Sequence, residues 1–306
     1  MTKKILIAGA GGLIGKALLH HFNSSDFEIT VLTRELRNSE NSFNKSINFV
    51  KWDCGNHEGW AGALEGQNIV INLAGANLVA KRWDSNFKKL IYNSRINCTK
   101  QLVNAIGKCN KKPDTLITAS AVGIYGNRGN EILTESGKPG NDFLSTVCSD
   151  WESEAKKVQV YNTRFIALRI GLVLSQDGGV LKNSLLPFRL FIGGKLGNGK
   201  QFFPWIHIDD LVGIIHYVIE NPEIDGSVNC ASPGIVREAE FARTLGKVLK
   251  RPAIIPVPRS LLRIVLGEIA DSILSSQNIS VEKLIKAGYE FKYADLLSAL
   301  KQILGK

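Results

Sequence analysis

The heptapeptide GAGGLIG, residues 9–15, is where residue types and spacing point most directly to chemistry. It reads Gly9-x-x-Gly12-x-x-Gly15, directly after the apolar run KILIA and at the head of the helical pattern GLIGKALLHHF. Gly9 permits a tight turn, Gly12 lets the backbone approach a pyrophosphate, and Gly15 lets the helix pack closely on the strand. The unpaired N–H groups and positive end of that helix favour an anion. At the next strand end, VLTRELR sets Thr33 and Arg34 at a turn with Arg37 nearby. Arginine there suits the 2′-phosphate of NADP, whereas a carboxylate would serve the ribose hydroxyls of NAD. NADP is favoured, and Glu35, one residue on, keeps the other reading open. No metal site is expected: the histidines at 20, 21, 57, 207 and 216 and the five scattered cysteines have no ligand spacing.

The elements that must hold these residues follow from periodicity. KILIA (4–8), EITVL (28–32), INFVKW (47–52), NIVINLA (68–74), TLITAS (115–120) and FIALRIGLVL (165–174) read as strands. Helical patterns alternate with them at 12–22, from about Trp83 to Cys109, and from near Ser145. Right-handed crossovers between parallel strands make this an α/β chain, a Rossmann-type doubly wound parallel sheet with a smaller C-terminal substrate domain. Residues 1–180 form the NADP-binding part, to which 204–230 returns, and 181–306 mainly form the second. There the glycine-rich loop GGKLGNGKQ (193–201) precedes short helices broken by proline and glycine. Trp83, Trp151 and Trp205 are expected in the core rather than the cleft.

Composition narrows the partners. The formal charge of +10 comes without a dense basic run interleaved with aromatics, so steering of phosphorylated ligands is expected rather than nucleic-acid binding. No apolar run is long enough to span a membrane, and none sits behind a basic leader. The expected address is the cytoplasm, and five cysteines without CxxC fit a reducing compartment without a disulfide framework.

Further stretches carry a resemblance: NLAGANL (72–78), KRW with SRINCTKQLV (81–83, 94–103), SAVGIYG (120–126), WESEA (151–155), RIGLVLSQDGG (169–179), PWIHIDDLV (204–212) and NCASP (229–233), then GKVLKRP and GEIADSILSSQ in the tail. With GAGGLIG, and nearly end to end, the chain resembles the extended short-chain dehydrogenases/reductases. More narrowly it is similar to the atypical NAD-dependent epimerase family labelled "SulA-like" nucleotide-sugar epimerases. The resemblance implies NADP along Gly9, Leu13, Ile14 and Gly15, with Arg34 at the 2′-phosphate and Asp53 near the adenine. It implies Leu73, Ala74 and Gly75 at the adenosine ribose, and Arg169 as a further cofactor-side residue. Structural roles stand beside each: a turn cap for Asp53, packing for the small residues, an ion pair for Arg169. The implied substrate is a small molecule of the nucleotide-sugar kind, and the helices from 83 and 145 could form a homodimer face.

That superfamily works with a Ser or Thr and with a Tyr followed four residues later by Lys, the phenol moving a proton while hydride moves at the nicotinamide. Ser120 fits the hydroxyl, or satisfies a strand end. Setting the pattern Y-x-x-S-K-x-x-x-E on Ser149 and Glu154 puts Thr146 at the Tyr and Asp150 at the Lys, so the pair is missing. Cys148, His207 and Asp150 are the conceivable substitutes. Two functions follow: an NADP(H)-dependent oxidoreductase or nucleotide-sugar epimerase with rerouted proton transfer, or a non-enzymatic NADP(H)-binding redox sensor or partner-binding module. A cell-division role suggested by the label has no mechanism in these residues.

Overall fold

The computed structural model describes residues 2–23, 27–34, 47–54 and 59–306. Its strands are β1 (Lys4–Ala8), β2 (Glu28–Thr33), β3 (Asn48–Lys51), β4 (Ile69–Asn72), β5 (Thr115–Ala121), β6 (Ile132–Leu133), β7 (Arg164–Ile170), β8 (Leu172–Leu174), β9 (Phe202–Phe203), β10 (Trp205–His207), β11 (Gly226–Cys230), β12 (Val236–Arg237) and β13 (Asn278–Ile279). Its helices are α1 (Leu13–Asn23), α2 (Ser85–Lys108), α3 (Phe143–Lys156), α4 (Gly179–Arg189), α5 (Ile208–Glu220), α6 (Glu238–Leu249), α7 (Arg259–Leu266), α8 (Ile269–Ile273), α9 (Glu282–Lys286) and α10 (Leu296–Leu304).

Seven strands form one sheet in the order β11-β7-β5-β4-β1-β2-β3, every neighbouring pair parallel. This is the doubly wound Rossmann arrangement, with the order reversing at β1 and β4. Side chains alternate across a strand, so one run of apolar residues feeds two cores. Ile5, Ile7, Ile71 and Ile117 turn to the layer of α1 and α5, where they meet Leu18, Phe22, Leu211 and Ile215. Leu6, Ala8, Val70 and Leu116 turn to the opposite layer with Leu102 and Ile106 of α2 and Ala155 of α3. A third cluster joins α4, α6 and α10 through Leu181, Phe188, Phe241, Leu245, Leu296 and Leu300, and it includes Trp205. Trp151 is also core, while Trp83 is half-buried and meets Phe143 edge to face.

Two expectations need correction. The run FIALRIGLVL is not one strand. The Gly171 N–H bonds Cys230 O, and the Leu172 N–H then turns to Pro204 O at 2.7 Å. This draws β8 out of the large sheet to pair with β10, a switch of partner that continuous hydrophobicity does not reveal. Cys54 and Cys98 are joined as a disulfide, although their separation of 44 residues looked like no framework. The end of β3 lies over α2, where Gln101 donates to Cys54 O at 2.8 Å and accepts from the Trp52 indole.

Closing a loop of 44 residues constrains the unfolded chain, so reduction should cost about 2–4 kcal/mol of stability. Urea unfolding with and without dithiothreitol checks this. The midpoint should fall on reduction for the natural chain and stay unmoved for Cys54→Ser.

Candidate functional site

The β1–α1 turn is built by close approach. Gly9 sits at φ +84°, and a Cβ there would come within 2.7 Å of the Leu73 carbonyl, so this turn and the loop after β4 touch backbone to backbone. At Gly15 a Cβ would lie 2.4 Å from Ala10 Cα. Both glycines are therefore demanded by the fold itself. Gly11 and Gly12 are different: nothing lies within 4 Å of a Cβ on Gly11, and only Gly9 O, at 3.5 Å, near one on Gly12. The chain gives no internal reason for glycine there, whereas a ligand resting on the backbone does. The Lys16 N–H makes the first helical bond, to Gly12 O at 2.9 Å. The N–H groups of Leu13, Ile14 and Gly15 ahead of it have no intrahelical acceptor. These residues fit the pyrophosphate of a dinucleotide.

Around this turn the other expected residues gather along the strand ends. Leu73 bonds Ala8 O through its N–H, and the Ala74 N–H is held by the Asn72 carboxamide at 3.2 Å. Gly75 lies against the Arg95 guanidinium, and Leu13 packs its side chain toward Gly178 and Gly179 at the head of α4. Thr33 ends β2 and its carbonyl takes the Trp52 N–H at 2.7 Å, which brings exposed Arg34 and exposed Asp53 to neighbouring strand ends. Glu35 and Arg37 lie outside the described residues.

Arg169 is committed inward. Its guanidinium grips both carboxylate oxygens of Glu152, at 3.0 and 2.9 Å, and also donates to the Tyr125 hydroxyl and to Glu135 O. Burial works against its charge, but the hydrogen bonds and charge of Glu152 outweigh burial and hold it above the usual arginine value. Ser120 is buried and donates to Glu152 at 2.6 Å, and Ser227 adds a second hydroxyl at 3.1 Å. The Tyr125 phenol donates to Asn229 at 2.7 Å, and burial pushes it upward against the pull of Arg169.

The geometry of α3 corrects the alignment of the missing pair. Asp142 caps the helix, accepting from the Ser145 N–H at 2.9 Å. Thr146 is exposed and returns its hydroxyl to Asp142 O, Asp150 accepts the Tyr92 hydroxyl of α2 at 2.9 Å, and Glu154 pairs with Lys157. That stripe is not the one turned to β5. The face on β5 carries half-exposed Leu144, beside Gly123, then Cys148 and Glu152. Ending the spacing Y-x-x-S-K-x-x-x-E on Glu152 puts Leu144 at the Tyr and Cys148 at the Lys.

The substitutes fare no better. Burial, with the Glu152 charge, pushes the Cys148 thiol up to about 12, so it stays protonated near neutrality. His207 is 1% exposed and caps α5: Nδ1 accepts from the Asp209 N–H at 3.0 Å and Nε2 faces the Gln302 carboxamide at 2.8 Å. Burial lowers its pKa, consistent with a neutral ring stacked on Tyr293. Among the described residues no group of three His, Cys, Asp or Glu side chains converges as a metal site, and no helix is long and apolar enough to cross a membrane.

The strand order reverses between β1 and β4, where a doubly wound sheet has its crevice beyond the carboxyl ends of the strands; Lys88 of α2 pairs with Glu268 between α7 and α8, and Arg82 lies beside Gly267. The loop 193–201 is pinned by the Glu238 carboxylate, which accepts the Leu196 N–H at 2.9 Å. Glu152, at the centre of the Arg169 network, stands in WESEA without a role assigned from sequence. Its signal was its place inside the buried stripe Val147, Cys148, Trp151 and Ala155.

Comparison with known proteins places this geometry. The model of the NAD dependent epimerase/dehydratase family matches residues 5–231, and a domain of unknown function, DUF1731, matches 257–303. An epimerase family protein of Staphylococcus haemolyticus is 38% identical over 303 residues, covering 99% of both chains. The chloroplastic SDR39U1 homolog of Arabidopsis thaliana is 36% identical over 98% of this chain and 86% of its own. The crystal structure of human epimerase family protein SDR39U1 (isoform 2) with NADPH superposes with a TM-score of 0.89 at 31% identity, covering 99% of each chain. A nucleoside-diphosphate sugar epimerase of Corynebacterium glutamicum gives a TM-score of 0.80 at 30% identity, over all of this chain and 59% of that one.

Two outcomes test the site's energetics. Glu152→Gln strands a buried guanidinium and should cost about 3–5 kcal/mol in chemical denaturation, while Glu152→Leu combined with Arg169→Met should cost less than the two single changes summed. Burial raises Glu238 to about 7, the Leu196 N–H and Lys195 opposing it. The folded state therefore favours its neutral form. Its stabilising contribution is complete below the unfolded value of 4.5 and is lost as pH climbs through 7, by roughly 3 kcal/mol at most. Stability measured from pH 4 to 8 should fall for the natural chain relative to Glu238→Gln, and a constant gap between them would refute this origin.

Proposed function

Because the chain belongs to the NAD dependent epimerase/dehydratase family, we propose that it binds NADPH at the β1–α1 turn but does not epimerise sugars through a Tyr/Lys proton relay. Binding is supported by the open backbone at Gly11 and Gly12, by the unpaired N–H groups of α1, and by the NADPH in the human structure. Arg34 is our assignment for the 2′-phosphate, Asp53 for the adenine side, and Leu73 to Gly75 for the adenosine ribose. When bound, the dinucleotide supplies a hydride. A sugar carbinol carbon can pass hydride to the oxidised form only as its hydroxyl proton is taken up by a base, and this is the step for which the chain lacks a partner.

The observation that carries the reading is the α3 stripe. Leu144 cannot hold a proton, Cys148 does not release one near neutrality, and Glu152 is consumed by Arg169 and Ser120. The chain is thus a non-enzymatic NADPH-binding protein, a redox sensor or partner-binding module. One observation favours a second reading, a reductase whose acceptor draws its proton from solvent. The Lys88–Glu268 pair ties α2 to the segment between α7 and α8, and Glu238 tethers the 193–201 loop, ordered C-terminal structure that dinucleotide binding at the β1–α1 turn does not itself require.

The test is a fluorescence titration with NADPH and NADH, followed by incubation with UDP-sugars and simple carbonyl compounds. NADPH should bind more tightly than NADH, and Arg34→Ala should erase the difference. No new sugar epimer should appear by NMR, and absorbance at 340 nm should hold. Epimer formation would overturn the first reading, and steady NADPH consumption with a carbonyl compound would establish the second.

A further inference from the structure

Helix α4 ends in a way that its own packing does not explain. Leu190 caps it, and Phe191 follows in the left-handed conformation, at φ +63°. Glycine suits this position, because a side chain there is strained. Leu190, Phe191 and Ile192 are nonetheless all large and apolar, and each is more than half exposed. A run of that kind on the outside has no core to serve.

The apolar surface continues onto the segment 253–257. Ile255 and Val257 donate their N–H groups to Gly193 O and Lys195 O, laying this segment along the loop after α4. Ile254 is 77% exposed, and Arg251 places its guanidinium 4.5 Å from the centre of the Phe191 ring. Past Pro258, α7 buries Leu262 and turns Leu261, Ile264 and Val265 outward on one helical face.

The charges on these segments have one sign. From Gly178 to Ile208 there are four Lys or Arg residues, from Phe241 to Gly267 there are six, and neither stretch holds an Asp or Glu. Asp271 takes Arg259 and Arg263, but among the described residues Arg189, Lys250 and Arg251 pair with no carboxylate. A contiguous exposed apolar patch rimmed in this way marks an interaction site, and the sign selects the occupant. A second copy joined by the same face would set cations against cations. An added strand would find little to bond, since residues 252, 256 and 258 are prolines and the Ile255 and Val257 N–H groups are used.

We propose that the end of α4, the segment 250–257 and α7 together dock on the surface of an anionic lipid bilayer. Leu190, Phe191 and Ile192 enter the headgroup boundary, and Arg189, Lys250 and Arg251 meet the lipid phosphates. The contact is peripheral, since among the described residues no helix is long and apolar enough to cross a membrane. It does not depend on the dinucleotide reading: the other end of α4, at Gly178 and Gly179, is the one that touches Leu13 of the glycine turn.

The test is co-sedimentation of the full chain with vesicles. One set is phosphatidylcholine alone, the other equimolar phosphatidylcholine and phosphatidylglycerol. Partition onto the mixed vesicles should exceed that onto the neutral ones by about tenfold or more. Phe191→Gly with Ile192→Ser should lower it by about tenfold, and glycine relieves the left-handed backbone, so loss of fold is not the cause. Arg189→Glu with Arg251→Glu should lower it as far, through charge alone. No binding to the mixed vesicles, equal binding to both sets, or binding unchanged in either double variant overturns the proposal. A lipid-free dimer in sedimentation velocity that Phe191→Gly with Ile192→Ser abolishes assigns the face to a second copy and overturns it too.

Discussion

The bidentate pair between Glu152 and Arg169 fixes the wall on which the rest of the crevice stands. Two opposite charges, each about nine-tenths buried, tie α3 to β7. Ser120 brings β5 to the same carboxylate and Ser227 brings β11. Through Tyr125 and Asn229 the network reaches Leu133 O and Ser280 O, so the C-terminal residues are anchored to the same charge pair. Such a network is stable only while every member is satisfied. That requirement explains why the hydroxyls nearest the strand ends are spent on structure, leaving little free for catalysis.

The two halves of the crevice consequently differ in kind. On the side of the β1–α1 turn the backbone is bare, the helix end is electropositive, and neighbouring strand ends present Arg34 and Asp53 to the outside. On the side of α3 the surface is a leucine and a buried thiol, with polar groups turned inward. Binding and proton transfer are separate demands on a fold, and a scaffold can meet the first while giving up the second.

How much of this was legible in the sequence depended on range. Most strands and their parallel, doubly wound arrangement followed from local periodicity, because short apolar runs such as KILIA and NIVINLA alternate with helical patterns, whereas the order of the strands did not. The glycine turn was legible for the same reason, since its constraint lies within seven residues. What escaped was set by distant partners. The break at Gly171 depends on Pro204 and Cys230, and the bond between Cys54 and Cys98 depends on β3 ending over α2. The register of α3 escaped because three acidic residues alternate there, and the motif spacing alone does not tell which one is buried. A helical-wheel reading would have found Glu152, which lies in the apolar stripe of Val147, Cys148, Trp151 and Ala155.

The late return of the chain to its first sheet has a consequence during synthesis. Ile5, Ile7 and Phe22 share one cluster with Leu211, Ile215 and Val218 of α5, and β11 completes the sheet beside β7. At ribosomal speeds of roughly 5–20 residues per second, the first strands wait tens of seconds for the helix that covers them. Through that interval the nascent dinucleotide half carries an open greasy face and an unpaired strand edge. The sheet is therefore closed late: its α1 layer is not covered until α5 has been made, and β7 gains its second neighbour only with residues 226–230.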